Sequence, residues 1–404
     1  MVYYSKQYKS KGNYLKIPMR KITLLALSLL ILAGCTNIPL RKAATYLEKK
    51  LYRRIDYKVD GKYRVITLFY ATDRKSKERN GELYFKPNIS DTLTVGTLEA
   101  RIDPGLKIGK MLPKRLKRKG MIGVQKVTKL TDESFMKSLS EAVKNSPHKS
   151  LLVIVYGFKD NFELTATKAA YFSYLLDVNT PVLLFDWPGD QSVTPMGYKE
   201  ARRLANASGP FLGELLAKIT REAKPEKLWV ESSSLGCQVV CDAFEYMHKQ
   251  SDLADKEPEI THVIMSAPDV SDDEFNEIFM TEIAALTDKF TTYVSSYDRA
   301  LLMAEIIDWQ KKAGLKKVNV EEYEEFEEAK DLLYLKSLDP DRISIIDATQ
   351  INNASYGHGY DLESPEFYDN VYMQLLNAPP EDNRRLYLVK EKDGVDYWIM
   401  RGNK

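Results

Sequence analysis

From about residue 132 the chain repeats one pattern: a short unbroken apolar run, then a longer segment with apolar residues at helical spacing. The runs are SLLVIVY (Ser150 to Tyr156), PVLLF (Pro181 to Phe185), KLWVE (Lys227 to Glu231), THVIMSA (Thr261 to Ala267), FTTYVSS (Phe290 to Ser296) and RISIIDA (Arg342 to Ala348). Segments 162–176, 198–219, 235–247 and 274–286 carry the helical spacing. A strand that is apolar on both faces must be covered on both, and crossover helices between parallel strands supply that cover. The pattern therefore predicts an α/β fold with a mostly parallel sheet between two layers of helices.

Other features bound the function. A chain of 404 residues with 44% hydrophobic and 29% charged residues has ample material for a core. A formal charge of +2 provides no basic field for nucleic acid, so no nucleic-acid partner is expected. Three cysteines are too few for a disulfide scaffold, and Cys237 and Cys241, one helical turn apart, read as small buried residues. There is no phosphate-binding glycine loop, no paired Cys/His spacing and no internal repeat, so neither metal nor cofactor is expected.

Ahead of the repeating pattern, strand-like runs lie at 63–70, 93–102 and 124–130. The basic stretch KMLPKRLKRKG, 110–120, reads as an exposed loop, and RKAATYLEKKLYRR, 41–54, as a solvated helix. A long helical insert with an acidic run occupies 300–338, and 379–404 holds two short runs joined at Asp393 and Gly394, a turn dipeptide for a terminal β-hairpin.

From Met19 the chain reads MRKITLLALSLLILAGCTN: two basic residues, about a dozen apolar ones, then Leu32, Ala33, Gly34 and Cys35. The run is short for a membrane span and suits the apolar region of a secretory signal. It resembles a bacterial lipoprotein signal, with Leu32 to Cys35 as the lipobox. That resemblance implies a signal peptide over 1–34 with Met19 as a possible start, lipidation of Cys35, a tether over 35–60 and residence in the cell envelope. Thr36, in place of an aspartate, leans towards the outer membrane.

The stretch LWVESSSLGCQVV, Leu228 to Val240, carries three consecutive serines at a strand-to-helix junction. A nucleophile held at such a turn needs small residues two before and two after it. Ser232 would be flanked by Val230 and Ser234, and Ser233 by Glu231 and Leu235. Only Ser234, between Ser232 and Gly236, meets the requirement, although a serine-rich helix cap reads much the same. The chain has four histidines. His148 precedes the first parallel strand, His248 ends a helix and His262 opens a strand, whereas His358 stands between glycines just after the last parallel strand. Asp298, past the penultimate strand, completes the order Ser, Asp, His at intervals of roughly 60 residues. Asp269, after the preceding strand, is the alternative acid. The NH of Leu235 and that of Phe158, after Gly157, are the candidate oxyanion donors.

Together, LFYATDR, LVIVYGFKDNFE, VLLFDWPG, SSSLG, SAPDV, YVSSYDRAL and YGHGYDLESP resemble the bacterial esterase/lipase-like branch of the α/β-hydrolase superfamily over roughly residues 65–378. The resemblance implies an eight-stranded, mostly parallel sheet, a hydrolase domain over 61–378 and a triad of Ser234, Asp298 and His358 acting on a small ester or acyl substrate. Two positions depart from the family: Tyr156 stands where His precedes the oxyanion glycine, and Ser233 where His precedes the nucleophile. They keep a second expectation open, a non-catalytic lipoprotein that uses the fold as a binding or envelope-assembly module.

Overall fold

The computed structural model describes residues 55–402 apart from 109–112, 251–257, 271–284, 297, 299–341, 354–357 and 391–396. The signal segment with Cys35, most of the tether, most of the helix expected over 274–286, the insert over 300–338 and the turn at Asp393 and Gly394 lie outside the described residues. The described residues belong to one compact unit, Arg54–Lys404.

Twelve strands are described: β1 (Lys58–Asp60), β2 (Tyr63–Arg79), β3 (Glu82–Ile102), β4 (Ile122–Lys129), β5 (Ser150–Val155), β6 (Val182–Asp186), β7 (Lys227–Ser233), β8 (Ile260–Ser266), β9 (Thr287–Val294), β10 (Ile343–Asp347), β11 (Leu386–Val389) and β12 (Tyr397–Met400). They form one sheet in the order β4, β3, β2, β6, β5, β7, β8, β9, β10, β12, β11, with β1 pairing β2. From β2 through β10 every neighbouring pair is parallel, while β3 runs antiparallel to β2. The stretch from β3 to β10 is thus an eight-stranded, mostly parallel sheet; β1 and β4 extend it at one edge, and β12 and β11, an antiparallel pair, at the other.

The α-helices among the described residues are α1 (Pro113–Arg118), α2 (Asp132–Asn145), α3 (Phe162–Leu176), α4 (Pro195–Glu222), α5 (Gly236–His248), α6 (Tyr360–Glu363) and α7 (Pro365–Leu375). Alternation along β5 divides the core. Leu151, Val153 and Val155 pack with α2, α4 and α5 on one face, while Leu152, Ile154 and Tyr156 pack with α3 and α7 on the other. The longer helices start where side chains replace missing backbone partners: Asn161 accepts from Leu164 N at 3.0 Å, and Thr194 from Gly197 N at 3.1 Å with Pro195 at the first helical position.

Two details differ from the sequence expectation. The basic segment read as a loop contains α1, because Leu116 is buried and draws a helical turn against the sheet. Residues between the two predicted N-terminal strands are also strand, so β2 and β3 form one long hairpin. Asn80 (φ 54°) and Gly81 (φ 76°) turn it, both with the positive φ of a type I′ turn, whose twist matches that of the strands.

Candidate active site

The candidate triad, the alternative acid Asp269 and the candidate oxyanion donors follow the carboxyl ends of parallel strands β5, β7, β8, β9 and β10, where an open α/β sheet offers its crevice. Ser234 directly follows β7 and precedes α5, with φ 54°, a left-handed conformation that costs a residue bearing a Cβ about 1 kcal/mol or more. The turn is fastened on three sides: Ser234 N donates to Ser266 O at 3.0 Å, Cys237 N to Ser234 O at 2.9 Å, and Asp269 N to Ser234 O at 3.2 Å. Its small neighbours are sterically required. A Cβ on Gly236 would lie 2.5 Å from Val155 O, and one on Gly157 would lie 2.6 Å from Ser234 Cβ and 3.0 Å from Leu235 N. Ser232 is buried, with its hydroxyl directed at Cys237 Sγ, 3.3 Å away.

The loop after β5 therefore lies directly against the elbow. Trp187 Nε1 donates to Tyr156 O at 2.7 Å, and Lys159 N donates to Gly189 O at 2.7 Å, which braces the backbone on either side of Phe158. The Phe158 ring meets Tyr198 of α4 edge to face, with ring centroids 5.9 Å apart. Tyr156, one of the two family departures, turns its ring away into the α3 layer, where it is buried and Lys168 Nζ lies 5.5 Å from its centroid. Ser233 is buried beside the nucleophile position and pairs in register with Ser266.

His358 and Asp298 come together. Nδ1 of His358 lies 2.8 and 2.7 Å from the two Asp298 carboxylate oxygens, with 26% of the imidazole exposed and only 3% of the carboxylate. The loops carrying them are joined upstream: Ser296 N donates to Thr349 Oγ1 at 3.0 Å, and Asn352 Nδ2 to Ser295 Oγ at 2.7 Å. Downstream of His358, the Tyr360 hydroxyl donates to Tyr293 O and accepts from Ala267 N, both at 2.8 Å, which anchors the histidine segment to the ends of β8 and β9. Burial works against a charged imidazole here, but the Asp298 hydrogen bond and the carboxylates of Asp298, Asp361 and Asp269 outweigh it, so the His358 pKa is raised.

Asp269 has different partners. Its carboxylate accepts from the Tyr198 hydroxyl at 2.8 and 2.9 Å, and burial raises its pKa against the opposing influence of Arg202, Tyr198 and His358. Of the two candidate acids, Asp298 is the one hydrogen-bonded to the imidazole.

Sequence reasoning missed three groups around this centre. Tyr198 carried no signal beyond its place in a helical stripe. Asp361, three residues after His358, and Glu231, an acid next to the apolar Leu228–Val230 run, are placed unusually in the sequence, but their burial is a finding of the structure. Glu231 is buried with neither carboxylate oxygen hydrogen-bonded among the described residues, and burial, then Asp361, hold its carboxyl well above the usual range. Its surroundings behind the elbow therefore disfavour the charged carboxylate. No group of three or more His, Cys, Asp or Glu side chains stands in metal-binding geometry among the described residues.

Two of the solved structures to which the chain is similar illustrate the likeness. Phospholipase PlaB from Legionella pneumophila aligns with 62% of this chain and 68% of its own at 12% identity and a TM-score of 0.27. ESTFA in an iron-lacking apo form aligns with 87% of this chain and 95% of its own at 10% identity and a TM-score of 0.31. At those scores neither likeness bears on activity. No curated protein matches. The family model described as "Alpha/beta hydrolase of unknown function (DUF900)" matches residues 131–378, a span that takes in the elbow, Asp298 and His358, and the chain belongs to that family.

Proposed function

We propose that the protein is a serine hydrolase that cleaves carboxylic esters through an acyl-enzyme. The observation that carries this reading is the positive φ of Ser234 at the strand-to-helix turn. A serine is held in that conformation against its intrinsic preference, and lifting a nucleophile out of the sheet is what such a turn accomplishes. In this reading Ser234 Oγ attacks the carbonyl carbon while His358 Nε2 takes its proton. Asp298, on Nδ1, fixes the tautomer and stabilises the imidazolium, and the NH groups of Leu235 and Phe158 receive the oxyanion. His358 then returns the proton to the leaving alcohol, and water, deprotonated by the same histidine, releases the acid. Thioesters and amides would pass through the same steps. Lipidation at Cys35 would hold this centre at an envelope membrane and bring it to amphiphilic substrates.

Incubating the purified protein with a fluorophosphonate probe tests the chemistry. Wild type should label, and Ser234→Ala should lose both the label and hydrolysis of a short-chain nitrophenyl ester, by at least about 10³-fold. Absence of label from folded wild type, or label that survives Ser234→Ala, would overturn the reading in favour of a non-catalytic binding module.

A further inference from the structure

Tyr198 and Asp269 connect the two halves of the candidate oxyanion site, although neither has a place in the triad. Asp269 is tied by its backbone NH to Ser234 O (3.2 Å) and by its carboxylate to the Tyr198 hydroxyl (2.8 and 2.9 Å). Tyr198 in turn sets its ring edge to face against Phe158, 5.9 Å between centroids. The chain of contacts runs from the nucleophile's own carbonyl to the side chain whose backbone NH is the second oxyanion donor. It spans the loop after β8, the first turn of α4 and the loop after β5. From this arrangement we infer that Tyr198 and Asp269 are a positioning pair that sets the distance between the Leu235 and Phe158 NH groups and adds a second acidic group beside the His358–Asp298 couple. The inference rests on the serine-hydrolase reading for its catalytic meaning, while the pair itself is defined by contacts alone.

Two consequences follow from the chemistry. Oxyanion donors act only if they are preorganised where charge develops, so loosening the strut acts on kcat more than on KM. Asp269 is also among the groups that favour a charged His358, together with Asp298 and Asp361; among the described residues, Arg202, His358 and Asp298 are the charged groups that act on Asp269 itself. Replacing its carboxylate therefore makes the imidazole easier to deprotonate.

Both substitutions are near-isosteric and are read in the full-length protein. Tyr198→Phe keeps the ring against Phe158 and removes only the hydroxyl. It should lower kcat for a nitrophenyl ester about tenfold with KM nearly unchanged. Asp269→Asn should move the acid limb of kcat/KM, and the His358 titration followed by NMR of ¹³C-labelled histidine, to lower pH. Loss of one resonance in His358→Gln assigns the signal. If Ser234 labels but neither variant moves kcat or the His358 titration, the pair is overturned. A His358 titration that moves in a protein that never labels at Ser234 would support the pair and overturn the hydrolase reading instead. If neither labelling nor a shift is seen, both fail.

Discussion

Gly157 has no room for a side chain: a Cβ there would meet Ser234 Cβ at 2.6 Å and Ser233 O at 2.9 Å. These are atoms of the elbow itself, so the strain falls on the site. Gly157→Ala should displace the backbone that carries the Phe158 NH, slow probe labelling at least about tenfold, and cost about 1–3 kcal/mol in urea denaturation. His262 concerns stability alone. It is buried with Nε2 2.9 Å from Thr291 Oγ1 and Nδ1 without a hydrogen-bond partner among the described residues, and burial, then Lys289, lower its pKa from 6.5 to about 3. Below pH 6.5 the unfolded chain binds a proton that the folded one refuses, so this histidine reduces stability as pH falls from there towards about 3. His358 has the opposite sign: its raised pKa adds stability at low pH that is lost as pH rises through the folded value. Urea midpoints between pH 7 and pH 4 should fall less steeply in His262→Asn than in wild type; equal slopes would rule out this assignment.

At the scale of elements, the β2–β3 hairpin is the structure that sequence reading left incomplete. Its strands are exposed near the turn, so apolar patterning fades there, and the signal that survives is the dipeptide Asn80-Gly81. Both residues have positive φ, and a Cβ on Gly81 would touch nothing within 4 Å. Gly81→Ala therefore carries a backbone cost of about 1–2 kcal/mol without a clash. Amide exchange should accelerate in the outer hairpin, from Ser76 to Phe85, and stay unchanged in β5 and β7; uniform acceleration would show that the hairpin unfolds only with the whole sheet.

At the scale of the molecule, Arg74 ties together three segments distant in sequence. From the register break in β2 its buried guanidinium reaches Asp186 Oδ2 at the end of β6 (2.6 Å), Asp190 in the following loop, and the carbonyl of Asp160 after β5 (3.0 Å). Asp160 belongs to the loop after β5 that carries Phe158, and Lys159 N of that loop donates to Gly189 O beside Asp190, so the Arg74 cluster braces the loop from both segments. Arg74→Met would leave Asp186 buried without its cation, a loss of about 3–5 kcal/mol. Denaturation of Arg74→Met, Asp186→Asn and the double variant should show the double recovering part of that loss; strictly additive effects would mean that the two side chains are not coupled.

What the sequence determined by itself was the local and steric part. Unbroken apolar runs must be sandwiched strands, so the parallel sheet and its helices were legible; the elbow's demand for small neighbours singled out Ser234; and the order of chemistry-bearing residues pointed to Asp298 and His358. Other features depended on folding. Whether Asp298 or Asp269 meets the imidazole depends on which loop is tied to the histidine segment, and the Ser296–Thr349 and Asn352–Ser295 hydrogen bonds decide it across more than 50 residues of chain. Tyr156 looked like a change in the site, yet its ring faces the α3 layer, because alternation along β5 carries it to the face opposite Val155. Tyr198, Glu231 and Asp361 acquire a meaning only from neighbours that are remote in sequence. Spacing and size are properties of a segment, whereas hydrogen-bond partners and local electrostatics are properties of a packed interior, and those came from the tertiary structure alone.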